Sequence, residues 1–109
     1  MFKLFASLIG GAVLAVALSA QAAPAPIIIK IDNFTFNPTT LVIPVGTTVT
    51  WVNNDDVPHT TVAEDHKTFR SKPLDTDDKY AFTFATPGEF PYFCSIHPRM
   101  TAKIIVKAS

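Results

Sequence analysis

The most informative segment of this chain runs from Phe90 to Met100 and reads FPYFCSIHPRM. Its first half has the two-residue period of a β-strand, which places Phe90, Tyr92 and Cys94 on one face. His97 and Met100 then follow at three-residue intervals, after the predicted strand has ended. A thiol, an imidazole and a thioether therefore fall within one short loop, and all three are side chains that ligate transition metals.

Strand patterns continue upstream and downstream of this segment. Thr47–Val52 is a strong strand with its tryptophan on the core face, and Lys79–Ala85 places its aromatic side chains on one face. Leu41–Val45 contains a proline and is therefore predicted to be an edge strand. Glu64–Asp78 is polar and is predicted to be a long connection with one short strand near Phe69. About eight short strands with turn residues between them, and no helical periodicity, predict an all-β sandwich.

The N-terminal segment has the layout of a secretory signal. Lys3 supplies positive charge, residues 4–18 are almost wholly apolar, and residues 20–22 read Ala-Gln-Ala, with small side chains at the positions that signal peptidase recognises. We predict a signal peptide of residues 1–22, cleaved there or one residue later, and a single periplasmic domain of residues 23–109. An uncleaved membrane anchor is the alternative, but the apolar run is short for a span of about 20 residues.

Charge and cysteine content narrow the range of possible functions. Removing the signal takes away one of nine Lys and Arg, leaving eight against nine Asp and Glu. A nearly neutral chain without a basic run argues against nucleic-acid binding. Cys94 is the only cysteine, so the exported domain has no internal disulfide, and a free thiol there is open to oxidation. It is either buried and inert or held as a thiolate by a metal.

A further candidate ligand, His59, follows a proline at another predicted strand end. With Cys94, His97 and Met100 it completes one thiolate, two imidazoles and one thioether, the ligand set of a blue-copper electron-transfer site. Each residue alone has an ordinary alternative as a buried hydrophobe, a turn or loop histidine, or a core methionine. The remaining histidine, His66, lies in the polar connection and is assigned no metal role.

Asn53 is the candidate for orienting these ligands. It lies six residues before His59, and its amide is predicted to link the two ligand loops. A simple turn with Asn54 is the alternative. Because the ligands come from two loops beyond the strands of a rigid sandwich, we expect a pre-formed site.

The residues resemble the cupredoxins, the plastocyanin and azurin family, over nearly all of the predicted mature chain. The two residues between His97 and Met100 make a short ligand loop, most similar to that of amicyanin. The resemblance implies a Greek-key β-sandwich of about eight strands, one copper ion on the four candidate ligands, and the loop-linking role for Asn53. The motifs that carry it are Phe36-Asn37-Pro38, Leu41, Val45-Gly46, Val49–Asn53, Pro58-His59, Pro87-Gly88, Tyr92, Cys94, His97 and Met100.

These observations predict a soluble, monomeric one-electron carrier that meets redox proteins of dehydrogenase or cytochrome type only briefly. The alternative is a copper carrier or storage protein without electron transfer, although a closed ligand set with one cysteine does not favour metal handover. We expect no enzyme, since a multicopper enzyme needs further histidines and a zinc hydrolase needs an open coordination position. Electrons are expected to pass through His97, within a small apolar docking patch. The predicted patch residues are Val57, Pro58, Ile96, Pro98 and Arg99.

Overall fold

A computed structural model describes residues 22–108 and confirms the all-β architecture. Side-chain burial alternates along the strands where the sequence alternates, as in Thr48–Asn53, whose side chains are half-buried and buried in turn. The eight strands of the described chain are β1 (Ile27–Asp32), β2 (Thr35–Asn37), β3 (Thr40–Pro44), β4 (Thr48–Asn53), β5 (Val62–Ala63), β6 (Lys79–Thr83), β7 (Gly88–Phe93) and β8 (Thr101–Lys107).

The strands form two mixed sheets with the orders β2-β1-β4-β6 and β3-β8-β7-β5. β1 runs parallel to β4 and β3 runs parallel to β8, whereas the other neighbours are antiparallel. β3 lies at a sheet edge, as its proline predicts, because a proline cannot donate to a second neighbouring strand. The eight-strand sandwich predicted from the turn spacing is therefore confirmed.

Trp51 occupies the middle of the core between the sheets. Its indole is fully buried, stacks on Phe69 with 5.5 Å between ring centroids, and meets Tyr92 edge-on at the same distance. Trp51 Nε1–H also donates a hydrogen bond of 3.2 Å to the Tyr92 hydroxyl. Because Trp51 belongs to β4 and Tyr92 to β7, this bond joins one sheet to the other.

The polar connection between β5 and β6 packs more closely than its composition suggests. Phe69 and Leu74 are 3% and 1% exposed, so the connection covers part of the core. The predicted strand near Phe69 is wrong, because only an isolated bridge joins Arg70 to Val62. A second bridge joins Leu74 to His59 and holds the connection beside the candidate ligand.

The predicted signal peptide, residues 1–22, lies outside the described residues except for Ala22, so it stays a prediction. The described chain begins with a short segment without regular structure that leads into β1. Between residues 22 and 108, no helix has the length and apolar character needed to cross a membrane.

Candidate metal centre

His59, Cys94 and His97 come together just beyond the strand ends that carry them. Cys94 Sγ lies 3.8 Å from His59 Nδ1 and 3.7 Å from His97 Nδ1, and the three ligand atoms lie within 4.8 Å of one another. Ligand atoms about 2.0–2.3 Å from a shared ion in one plane stand about 3.5–4 Å apart. The spacing therefore fits one metal ion between two nitrogens and one sulfur.

Cys94 and Met100 frame a loop that closes on itself between β7 and β8. The Cys94 amide donates to the Met100 carbonyl at 3.0 Å, and the amides of His97 and Met100 bond to the carbonyls of Cys94 and His97. Met100 is 6% exposed and packs against the core beside Cys94. The fourth predicted ligand thus lies at the closing end of the loop, and coordination by its thioether stays a prediction.

Thr60, to which sequence reasoning gave no role, links the two ligand loops. Its hydroxyl is 2.8 Å from the Ser95 hydroxyl and accepts a hydrogen bond of 2.7 Å from the Ser95 amide. Its own amide donates to Cys94 Sγ at 3.3 Å. These bonds connect residues about 35 positions apart, which no local pattern reveals.

Asn53 has different partners from the predicted ones. Its side-chain amide donates to the carbonyls of Val57 and Leu74, at 2.9 and 2.8 Å, and its oxygen accepts from the Asp55 amide. The predicted link to the Cys94 loop is therefore wrong, because both donor hydrogens of the amide are used beside His59. Asn53 instead shapes the loop before His59 and anchors it to the β5–β6 connection.

Asp55 is a second residue that the sequence did not reveal. Its Oδ2 lies 2.8 Å from His59 Nε2, and the His59 side chain is completely buried. Burial raises the pKa of Asp55, but the amides of Phe34 and Asn33 and the His59 ring lower that pKa below its usual value overall. An ionised carboxylate only accepts hydrogen bonds, so Nε2 carries the proton and Nδ1 is free to bind a metal.

Phe34 completes the surface above the site. It is half exposed, and its ring meets both imidazoles edge-on, with centroids 5.2 Å from His59 and 5.0 Å from His97. Sequence analysis assigned Phe34 no role at the site, because an aromatic residue between two strands carries no signal of its own. The contact with two ligand rings arises only in the folded chain.

Most residues of the predicted docking patch are exposed, and two of them, Ile96 and Pro98, flank the half-buried His97 in the sequence. Ile96 is 44% exposed, Pro58, Pro98 and Arg99 are exposed, and Val57 is half-buried. His66, to which no metal role was given, lies outside the ligand cluster and packs edge-on against Phe93. The described part of the chain holds no second group of three or more potential His, Cys or acidic ligands.

Comparison with known proteins agrees with this geometry. The family model described as a cupredoxin-like domain matches residues 4–106. The chain belongs to the cupredoxin family. It is 34% identical over 87 residues to amicyanin from Paracoccus versutus, an alignment that covers 74% of this chain and 64% of that protein. The resemblance inferred from the ligand loop is thereby confirmed.

Two solved structures extend the comparison. A purple cupredoxin from Nitrosopumilus maritimus superposes with a TM-score of 0.69 and 36% identity, over 74% of this chain and 99% of that one. A copper-containing nitrite reductase from Thermus scotoductus superposes with a TM-score of 0.73 and 35% identity, over 81% of this chain and 24% of that one. This cupredoxin has the soft sulfur and imidazole donors that suit copper, and its cofactor is one copper ion.

Proposed function

We propose that this cupredoxin is a blue-copper protein that carries single electrons. The observation that carries the proposal is the cluster of two imidazole nitrogens and one sulfur, with His59 and Cys94 buried and His97 half-buried. A copper ion bound there supplies reversible one-electron chemistry between its monovalent and divalent states. His59, Cys94, His97 and Met100 are the proposed ligands, with Met100 as the weak axial donor.

The role of the protein is to hold the metal-ligating side chains in fixed positions. The bonds that close the loop from Cys94 to Met100, and the Thr60 bonds to Ser95 and Cys94, fix the ligands before any metal arrives. A carrier benefits from such a frame, because side chains that do not rearrange add little to the barrier for electron transfer. Asp55 holds the His59 ring in the tautomer that leaves Nδ1 available.

The surface supports a carrier rather than an enzyme. His97 is the only one of the three clustered ligands that reaches solvent. The exposed Ile96 and Pro98 flank it in the chain, and the exposed Pro58 precedes His59, so apolar residues are available for a docking patch. A small apolar patch suits the brief contacts of redox partners, which bury less than about 1,200 Å². We propose dehydrogenase or cytochrome-type partners, a monomer between encounters, and no catalytic activity of its own.

The proposed location is the periplasm. The support is the signal-like sequence of residues 1–22 and the single cysteine, whose thiol a bound metal would protect in an oxidising compartment. Expression of the full chain, with mass spectrometry of the exported product, tests this. A product that starts at Ala23 or Pro24 supports the proposal, and a cytosolic full-length product contradicts it.

The function is tested by the visible absorption spectrum of the mature protein loaded with Cu(II). An intense thiolate-to-copper band that ascorbate bleaches, and that Cys94→Ala removes, is the expected result. The matched control is His66→Ala, which removes a histidine outside the cluster and leaves the band unchanged. Colourless binding of Cu(I) alone points instead to copper handling, and no copper binding contradicts the proposed site.

A further inference from the structure

We propose that Asp55 is a positioning residue that couples the proposed ligand His59 to the β1–β2 turn, and thereby holds Phe34 over both imidazoles. The inference rests on the proposed copper site, which it deepens by naming how the site and its covering surface are kept together. It starts from one carboxylate that is shared between a buried ring and a turn.

The carboxylate of Asp55 accepts three N–H groups from two separate parts of the chain. Oδ2 accepts hydrogen bonds from His59 Nε2 at 2.8 Å and from the Phe34 amide at 2.9 Å. Oδ1 accepts one from the Asn33 amide at 2.6 Å. Hydrogen bonds to an ionised acceptor are shorter and stronger than neutral ones. Because one oxygen serves both His59 and Phe34, a shift of the turn is transmitted to the ring.

The turn needs such an anchor. Asn33 and Phe34 form a two-residue connection between the paired residues Asp32 and Thr35, with φ of 52° and 56°. Hairpin turns with two positive φ values favour Asn followed by Gly, so Asn33 fits and Phe34 does not. A bulky residue in the left-handed region is unusual and persists only where its surroundings hold it there.

The strained conformation directs the Phe34 ring onto the metal centre. The ring lies edge-on to His59 and His97, with interplanar angles of 87° and 88°. The ring covers part of the half-buried His97 and is itself 50% exposed, so it adds aromatic surface beside that imidazole. Asp55 itself is held in place, since its amide donates to Asn53 Oδ1 and its carbonyl accepts from the Thr76 hydroxyl.

The test uses the mature protein in metal-free and Cu(I)-loaded forms, compared with Asp55→Ala. Amide hydrogen exchange at Asn33 and Phe34 is expected to become at least about tenfold faster in both forms, because each amide loses its acceptor. Exchange at Val49, inside β4, is expected to stay unchanged. Cross-relaxation between the Phe34 and His97 rings is expected to disappear in the variant.

The matched control is Asp56→Ala, which removes a neighbouring exposed carboxylate and is expected to leave all of these signals unchanged. Should Asp55→Ala not fold, Asp55→Asn keeps the shape but supplies one acceptor oxygen in place of two. In the copper-loaded form, Asp55→Asn is expected to raise the reduction potential, because a negative charge beside His59 favours the more positive oxidised metal. That shift reports the charge beside His59, whereas the exchange and ring-contact measurements test the link to Phe34.

Two results overturn the inference. One is unchanged exchange at Asn33 and Phe34 in a folded variant, and the other is a ring contact between Phe34 and His97 that survives the loss of the carboxylate. The metal-free measurements separate this inference from the proposed function. If the wild-type protein shows no blue copper band, the proposed function is contradicted. The exchange data on the metal-free protein still decide the role of Asp55.

Discussion

The amide of Thr60 donates a hydrogen bond to the Cys94 sulfur at 3.3 Å, from a residue 34 positions earlier in the chain. Thr60 is 4% exposed and directly follows His59. The same residue therefore fixes the distance between a ligand imidazole and the ligand thiol. A donor to the sulfur also withdraws charge from a thiolate, which is one way in which a protein tunes a copper site.

Thr60→Val is expected to weaken the link between the loops and to lower the reduction potential. The valine keeps the amide bond to Cys94 but loses the hydroxyl, which pairs with Ser95 and lies 3.8 Å from the sulfur. The free energy of unfolding of the metal-free protein is expected to fall by about 1–2 kcal/mol. Urea denaturation and voltammetry measure the two effects.

Ser95→Ala is the matched control for this variant. It removes one hydroxyl pair but keeps the Ser95 amide bonded to the Thr60 oxygen, so its effect should be smaller on both measurements. Equal losses in the two variants would show that the hydroxyl pair, and not the Thr60 oxygen as a whole, connects the loops.

The fold and most of the candidate ligands were predictable because their signals are local. Strand alternation places Trp51 inward whatever its partners are, and the spacing of Cys94, His97 and Met100 is fixed within one short loop. His59 comes from another loop but carries its own signal, because it is a histidine after a proline at a strand end. The ligand set that copper sites use then indicated that His59 and the Cys94–Met100 loop belong to one site.

The supporting residues were not predictable in this way. Asp55 lies in a run of polar residues that any loop can contain. Its role depends on hydrogen bonds from a turn 21 and 22 residues earlier in the chain. Asn53 was predicted to reach the Cys94 loop, but its amide donates to the Val57 and Leu74 carbonyls, since a sequence does not reveal which carbonyl an amide meets. Contacts of this kind depend on tertiary packing.

Tyr92→Phe is expected to destabilise the sandwich by about 1–3 kcal/mol, because it leaves the buried Trp51 Nε1–H without an acceptor. Burial raises the pKa of Tyr92 above its usual range, so its phenol stays neutral where the protein is folded. Urea denaturation of the metal-free form measures the loss. Tyr80→Phe is the control, because its hydroxyl accepts only an exposed amide from Arg70. A loss in Tyr92→Phe no larger than in this control would contradict the importance of the inter-sheet bond.

Asp65 is expected to titrate at unusually low pH. The Thr68 side chain, then the Thr68 and Lys67 amides, lower the pKa of Asp65 from 3.8 to about 2. Its contribution to stability is therefore complete above about pH 4 and is lost as the pH falls from about 4 to about 2. Carboxyl chemical shifts measured by NMR report the midpoint, and Thr68→Val is expected to move it towards 3.8. Thr76→Val is the control and should leave this midpoint unchanged, because the Thr76 hydroxyl donates to the Asp55 carbonyl and not to Asp65.

Phe34→Gly is expected to separate the stability of the fold from the function of the surface. Glycine adopts the left-handed conformation of the turn without strain, which offsets its greater freedom in the unfolded chain. The free energy of unfolding is therefore expected to change by less than about 1 kcal/mol. The variant nevertheless loses the ring that covers His59 and His97.

The loss should appear in the electron self-exchange rate of the copper-loaded protein, measured by NMR line broadening. Two molecules that meet at this apolar surface lose aromatic contact area beside His97, so the rate is expected to fall. Ile28→Ala removes a similarly exposed hydrophobic side chain from β1 and should leave the rate unchanged. If both variants slow exchange to the same extent, the effect reflects general surface hydrophobicity and the special position of Phe34 is refuted.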